Sequence, residues 1–146
     1  MQLSRLSRIY LDARKTFAVM FDVKGLGAFP KFVDYTQSKR KFIVERREQG
    51  TSAFYWGPKK QIGLIKSYPN DNYVKALFIH ELRHWYQNMK MDQQGYVKLN
   101  CTRFGIPYSK KVKGDYSTQY HNHFEGVKRY EDNVFEQDAN WAMNCI

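Results

Sequence analysis

Apolar residues recur at Leu3, Leu6, Tyr10, Ala13 and Phe17, at intervals of three and four. That spacing puts them on one stripe and predicts an amphipathic helix over residues 2–16. The next residues, "FAVMFDV", fit either a continuation of the helix or the start of a strand. The glycines and proline of "GLGAFP" at 25–30 mark a turn. Three short β-like runs follow: "KFIVER" at 41–46, "SAFYW" at 52–56 and "QIGLI" at 61–65. Gly50 and the Gly57-Pro58 pair punctuate them, which predicts a small antiparallel meander.

"SYPNDN" then breaks the chain, and Asp71 is suited to cap a helix over about Asn72–Met89. From Asp92 to Asn133 no period dominates. That stretch predicts a long irregular excursion, and long loops in small domains are often functional. "NVFEQDANWAM" at 133–143 reads as a C-terminal helix. There is no internal repeat and no low-complexity segment. The pattern as a whole predicts one α+β domain over residues 1–146: an N-terminal helix, a small mostly antiparallel sheet, a long central helix and a C-terminal helix.

A chain of 146 residues with 16% aromatics can build one real core. Its 24 basic and 14 acidic residues give a net charge of +10, which favours an acidic partner. The cations fall in short clusters ("SKRK" at 38–41, "ERR" at 45–47, "PKK" at 58–60, "SKKVK" at 109–113), so the expected contact with nucleic acid is weak and sequence-independent. Cys101 and Cys145 have no metal-motif spacing, and two cysteines suggest a reducing compartment. Arg5, Arg8, Asp12, Arg14 and Lys15 interrupt the N-terminal apolar residues, which predicts neither a signal peptide nor a membrane span. The expected location is the cytoplasm of the cell that makes the protein, or a particle assembled there.

The candidate chemistry lies in "FIHELRHWYQ" at 78–87, where His80, Glu81 and His84 form H-E-x-x-H. Helical positions i and i+4 lie roughly 6 Å apart along the axis, so two such imidazoles can reach one ion at about 2.0–2.1 Å. Glu81 is one residue round from His80, placed to reach a water rather than to share the ion. An isolated match also arises by chance. Here the motif falls mid-helix after β-like runs, with apolar Leu77, Phe78, Ile79, Leu82 and Trp85 to bury that helix.

A catalytic zinc takes three protein ligands and keeps one open position. Glu136, at the start of the C-terminal helix, is the best third ligand, and His121 and His123 of "YHNH" are its rivals. Asn133 and Glu136 also have capping-box spacing, in which the glutamate would turn back to the cap's N–H instead.

"HELRHWYQ" followed by "RYEDNVFEQDANWA" resembles small gluzincin-type metallopeptidases of phages and bacteria, which commonly read H-E-L-x-H-x-x-Q and later Y-x-x-N-P-x-E-x-x-A. Tyr130, Asn133, Glu136 and Ala139 match the second part, with Val134 in place of proline. ImmA/IrrE-type and SprT-like peptidases are similar by the first motif, although SprT-like enzymes usually take a third histidine. The resemblance covers residues 77–89 and 129–142. It implies a minimal zincin-like fold, zinc on His80, His84 and Glu136, and Glu81 as the catalytic carboxylate. Asn140 falls where relatives place an aspartate that supports a ligand histidine; an asparagine offers only an uncharged hydrogen bond. For a phage-encoded chain the expected location is the host cytoplasm or the virion.

The expected reaction is hydrolysis of a peptide bond in a protein or peptide, with Glu81 as general base. Tyr120, His123 and Tyr130 are candidate stabilisers of the oxyanion. The alternative is a nucleic-acid-associated or virion binding protein with structural zinc or an inactive peptidase scaffold. The interleaved cations and aromatics of "RRE…FYWGPKK" suit that alternative. Glu81 counts against it, because a structural site needs no carboxylate beside its ion.

Overall fold

The computed structural model describes residues 3–125 and 129–146. Residue 2 of the expected first helix and residues 126–128 of the expected excursion lie outside these. Helix α1 (Arg5–Met20) starts at Ser4, whose side chain accepts from the Ser7 N–H at 3.1 Å. Its buried stripe is Leu6, Ile9, Tyr10, Ala13 and Phe17. The helix continues through the ambiguous "FAVM", while Leu3 lies before it and is exposed.

Strands β1 (Lys31–Asp34), β2 (Ala53–Trp56) and β3 (Gln61–Leu64) form a sheet in the order β1-β3-β2. β1 runs parallel to β3 and β2 antiparallel to it, so the sheet is mixed and not a simple meander. The expected strand at 41–46 is instead helix α2 (Lys41–Glu48). Only Ile43 is buried there, and the Lys, Glu and Arg around it are good helix formers. Arg46 and Arg47 in the last turn also complement the helix dipole, and the Arg47 guanidinium donates to the Tyr35 carbonyl at 2.9 Å. β1 supplies the third strand from the far side of β3, and the edge of β2 stays open.

Helix α3 (Asp71–Gln94) is longer than expected. Asn70 is its cap, accepting from the Tyr73 N–H at 3.2 Å, which frees Asp71 to pair with Arg5. Gly95, at φ 79°, ends the helix in the left-handed conformation that glycine adopts without strain. The expected irregular stretch is largely ordered. β4 (Tyr96–Arg103) and β5 (Ile106–Lys113) make an antiparallel hairpin, followed by α4 (Tyr116–Glu125) and a 3-10 turn at Tyr130–Asp132. Helix α5 (Val134–Met143) closes the fold, capped by Asn133.

α3 is the spine of the molecule. One flank packs Val74, Phe78, Ile79, Leu82 and Trp85 against the α1 stripe and against Ile62 and Leu64 of β3. In its last turns, Met91 joins Val97, Leu99, Cys101 and Val112 of the hairpin and Phe135 of α5 in a second cluster. Burying two such faces fixes the rotation of α3 and so decides which residues face the groove left between β2, α4 and α5. Among the described residues no helix is long and apolar enough to cross a membrane.

Gly63 sits in the central strand, where a Cβ would come within 2.5 Å of the Phe54 ring and 2.8 Å of the Tyr35 ring. Gly63→Ala is expected to destabilise the protein by about 1–3 kcal/mol, the usual cost of overpacking. Urea denaturation checks this, and an unchanged midpoint would show that the rings have room to move.

Candidate metal centre

His80 and His84 project from adjacent turns of α3 into the groove, and Glu136 reaches them from the first turn of α5. Glu136 Oε1 lies 2.9 Å from His80 Nε2 and 3.0 Å from His84 Nε2, and the two nitrogens are 3.2 Å apart. A four-coordinate ion with bonds of about 2.0–2.1 Å separates its ligand atoms by about 3.3 Å, close to this triangle. Asn133 Oδ1 accepts from the N–H groups of Phe135 and Glu136, so half of the capping box forms. The other half does not: the Asn133 N–H goes to the Tyr130 carbonyl, and the Glu136 carboxylate faces the histidines.

The hydrogen bonds behind the triangle determine its chemistry. The Gln87 amide donates to the Phe135 carbonyl at 2.9 Å and to Asp138 Oδ2 at 2.8 Å, which fixes which end is NH2. Its Oε1 therefore faces His84 Nδ1, at 2.9 Å, and can only accept. His84 Nδ1 must carry the proton, so a neutral His84 presents a lone pair at Nε2 directly to a carboxylate oxygen. Two acceptors at 3.0 Å repel unless a cation lies between them. That cation is either a proton, making His84 an imidazolium, or a metal ion. Residues that carry such a demand fit a metal.

The titration behaviour agrees. Burial alone would push the His84 imidazole down, but Glu136, Glu81 and the Gln87 bond together carry it up to about 9. Burial likewise works to raise the Glu136 carboxyl, and the two histidines override it and hold it well below the usual carboxylate range.

Glu81 is buried, and its carboxylate lies within 4.8 Å of the ligand atoms of both histidines. Burial raises its carboxyl above the ordinary range, opposed by His80, His84 and the backbone amide of Tyr55 in β2. Together His80, Glu81 and His84 are a buried group that could hold a metal ion. They open onto a cleft of about 1200 Å³ bounded by β2, α4 and α5.

Tyr120 donates its phenolic proton to Glu136 Oε2, and Tyr130 stands beside both. Burial, then Glu136, pushes the phenols of both well above the usual range, so they keep their protons at neutral pH. Tyr130 lines the cleft and is half exposed.

The structure does not bring the other candidates to the site. His123 is half-buried with its ring 5.9 Å from that of Phe135, and His121 is exposed; neither lines the cleft. α4 turns Tyr120 inward and carries both histidines away. Asn140 lines the cleft, but the support of His84 Nδ1 comes from Gln87.

Sequence reasoning missed the layer behind the ligands. Asp138, fully buried, accepts from Arg83 at 2.8 and 3.2 Å, from Gln87, and from the backbone and side chain of Asn100 at 2.8 and 3.1 Å. The Arg83 guanidinium lies over the rings of Phe21, Tyr86 and Trp141. Tyr116, also missed, is half-buried, with its ring against those of His84 and Phe135. Gln87, one turn beyond His84, was visible within the motif. The Arg83–Asp138 pair carried no local signal.

No family model, curated protein or solved structure matches the chain.

Binding of a divalent metal to the metal-free protein at pH 7 is expected to release about one proton per ion, because His84, with its pKa raised to about 9, must lose its proton to ligate. Apparent affinity should rise with pH and flatten above about 9. Calorimetric titration in two buffers of different ionisation enthalpy reads the proton count. His80→Ala, His84→Ala and Glu136→Ala should each lose most of the binding. Binding with no proton release would show that His84 is already neutral without metal.

Proposed function

We propose that the protein is a zinc-dependent peptidase of the gluzincin type, in which His80, His84 and Glu136 hold the ion and Glu81 is the general base. Two neutral imidazoles and one carboxylate are a donor set that suits zinc. When bound, zinc would supply a Lewis acid that lowers the pKa of water to about 7 and polarises a carbonyl.

The observation that carries the reading is Glu81. Its carboxylate is buried beside the triangle, open to the cleft, and less acidic than an ordinary carboxyl. A base of this kind takes a proton from the attacking water and then gives it to the leaving amide nitrogen, because raising its pKa brings the two protonation states closer in energy. Tyr130, protonated and half exposed on the cleft, is the better donor for a developing oxyanion, because the Tyr120 proton already goes to Glu136 Oε2.

The wall of the cleft supports a peptide as the substrate. β2 is the outer strand of its sheet, with β3 on one side only, and its residues line the cleft next to Glu81. An extended peptide can pair with that free edge and so pass its amides by the carboxylate.

Glu81→Gln keeps size and shape but cannot accept a proton. It is expected to fold, to bind zinc like the parent, and to lose peptidase activity by a factor of at least about a hundred. A peptide library digested by the zinc-loaded protein and read by mass spectrometry supplies the substrate and the comparison. Equal cleavage by parent and variant would remove Glu81 from the base role, and loss of zinc by the variant would make it a ligand.

A further inference from the structure

The β4–β5 hairpin carries charge that the fold does not use. Residues 96–113 hold five cations, Lys98, Arg103, Lys110, Lys111 and Lys113, and no carboxylate. Among the described residues none of the five is in an ion pair; the surface pairs lie on α1, α3 and the segment around Arg129. Val97, Leu99, Cys101 and Val112 face the core, which turns Tyr96, Lys98, Lys111 and Lys113 to solvent. Lys98 sits directly opposite Lys111 in the register. Like charges so placed weaken a strand pair, and one lysine ammonium 4.2 Å above the Tyr96 ring offsets little of that.

The hairpin tip is equally costly to the fold. Phe104 and Gly105 both have positive φ, 53° and 74°. A two-residue turn of that kind favours Asn-Gly, and a bulky aromatic in the left-handed region is strained. The Phe104 side chain gains little in return: the residue is 92% exposed, with the Arg103 guanidinium 5.8 Å from its ring. Strain and exposure together at an aromatic point to a use outside the fold.

We propose that the solvent face and tip of this hairpin bind single-stranded nucleic acid, with the lysines along the phosphates and Phe104 stacked on a base. Strands of eight residues extend about 27 Å, and the cations are spread over that length, so the fitting ligand is an extended polyanion. A lipid surface would meet the tip and leave Lys98, Lys111 and Lys113 far behind. A duplex could accept a two-stranded ribbon in its major groove, but it offers Phe104 no unstacked base. The arm is held rigidly: Asp138 and Gln137 of α5 accept the β4 edge N–H groups of Asn100 and Thr102 at 2.8 and 3.1 Å, leaving the lysine face clear.

Fluorescence anisotropy with a labelled oligothymidylate, a duplex of the same length and anionic phosphatidylserine vesicles tests this over a range of salt. Phe104→Asn installs the residue the turn prefers, so it should melt at the parental temperature or above, yet bind the oligothymidylate at least about fivefold more weakly, the worth of one stacked base. Replacing Lys98, Lys111 and Lys113 by serine should reduce the slope of log K against log salt by about two. Removing the same charge from Lys39, Arg40 and Lys41, an exposed cluster at the start of α2, should leave the slope nearly unchanged. The proposal is overturned if the parent does not bind the oligothymidylate, if Phe104→Asn binds it as the parent does, if the two charge-removal variants behave alike, or if only the duplex or the vesicles are bound.

Discussion

A carboxylate with no exposed surface must be matched by donors, and Asp138 is matched by three residues from different parts of the chain. Arg83 and Gln87 come from α3, and Asn100 comes from β4. Stripping a partner from a buried pair of this kind typically costs about 3–5 kcal/mol, so the three elements are held in one arrangement. The same carboxylate orients the Gln87 amide, the amide sets the His84 proton on Nδ1, and the His84 lone pair is thereby aimed at Glu136. The demand for a positive charge between α3 and α5 thus begins at a residue that does not touch the site.

This arrangement separates two tasks. The histidines and Glu136 are anchored by the α3–α5 contact and by Gln87. Glu81 faces the opposite wall, where the Tyr55 amide of β2 works against the rise of its carboxyl pKa. An ion would bind to one wall of the cleft while the proton-moving carboxylate answers to the other. The free edge of β2 lies where that second wall meets solvent, which links sheet order to the proposed use of the cleft.

Much of this was legible in the sequence. The stripe at Leu6, Tyr10, Ala13 and Phe17, the long motif helix and the capped C-terminal helix are periodic enough to read directly. H-E-x-x-H with Glu136 indicated the residues that meet at the cleft. Other parts were hidden for physical reasons. "KFIVER" has a strand-like run of Phe, Ile and Val, but its single buried side chain and its cations settle it as a helix. β5 was obscured because Lys110 and Tyr108 occupy positions that alternate with its solvent face, and only Val112 there is a buried aliphatic. Asp138 and Arg83 were invisible because their pairing joins positions 55 residues apart.

The central claim is that two imidazoles and one carboxylate converge on a single ion. X-ray absorption at the zinc edge of the loaded protein tests it most directly. The expected spectrum has a nitrogen and oxygen shell at about 2.0–2.1 Å, with the outer-shell scattering of two histidine rings and no sulfur at about 2.3 Å. A sulfur shell, or the signature of fewer than two imidazoles, would contradict it.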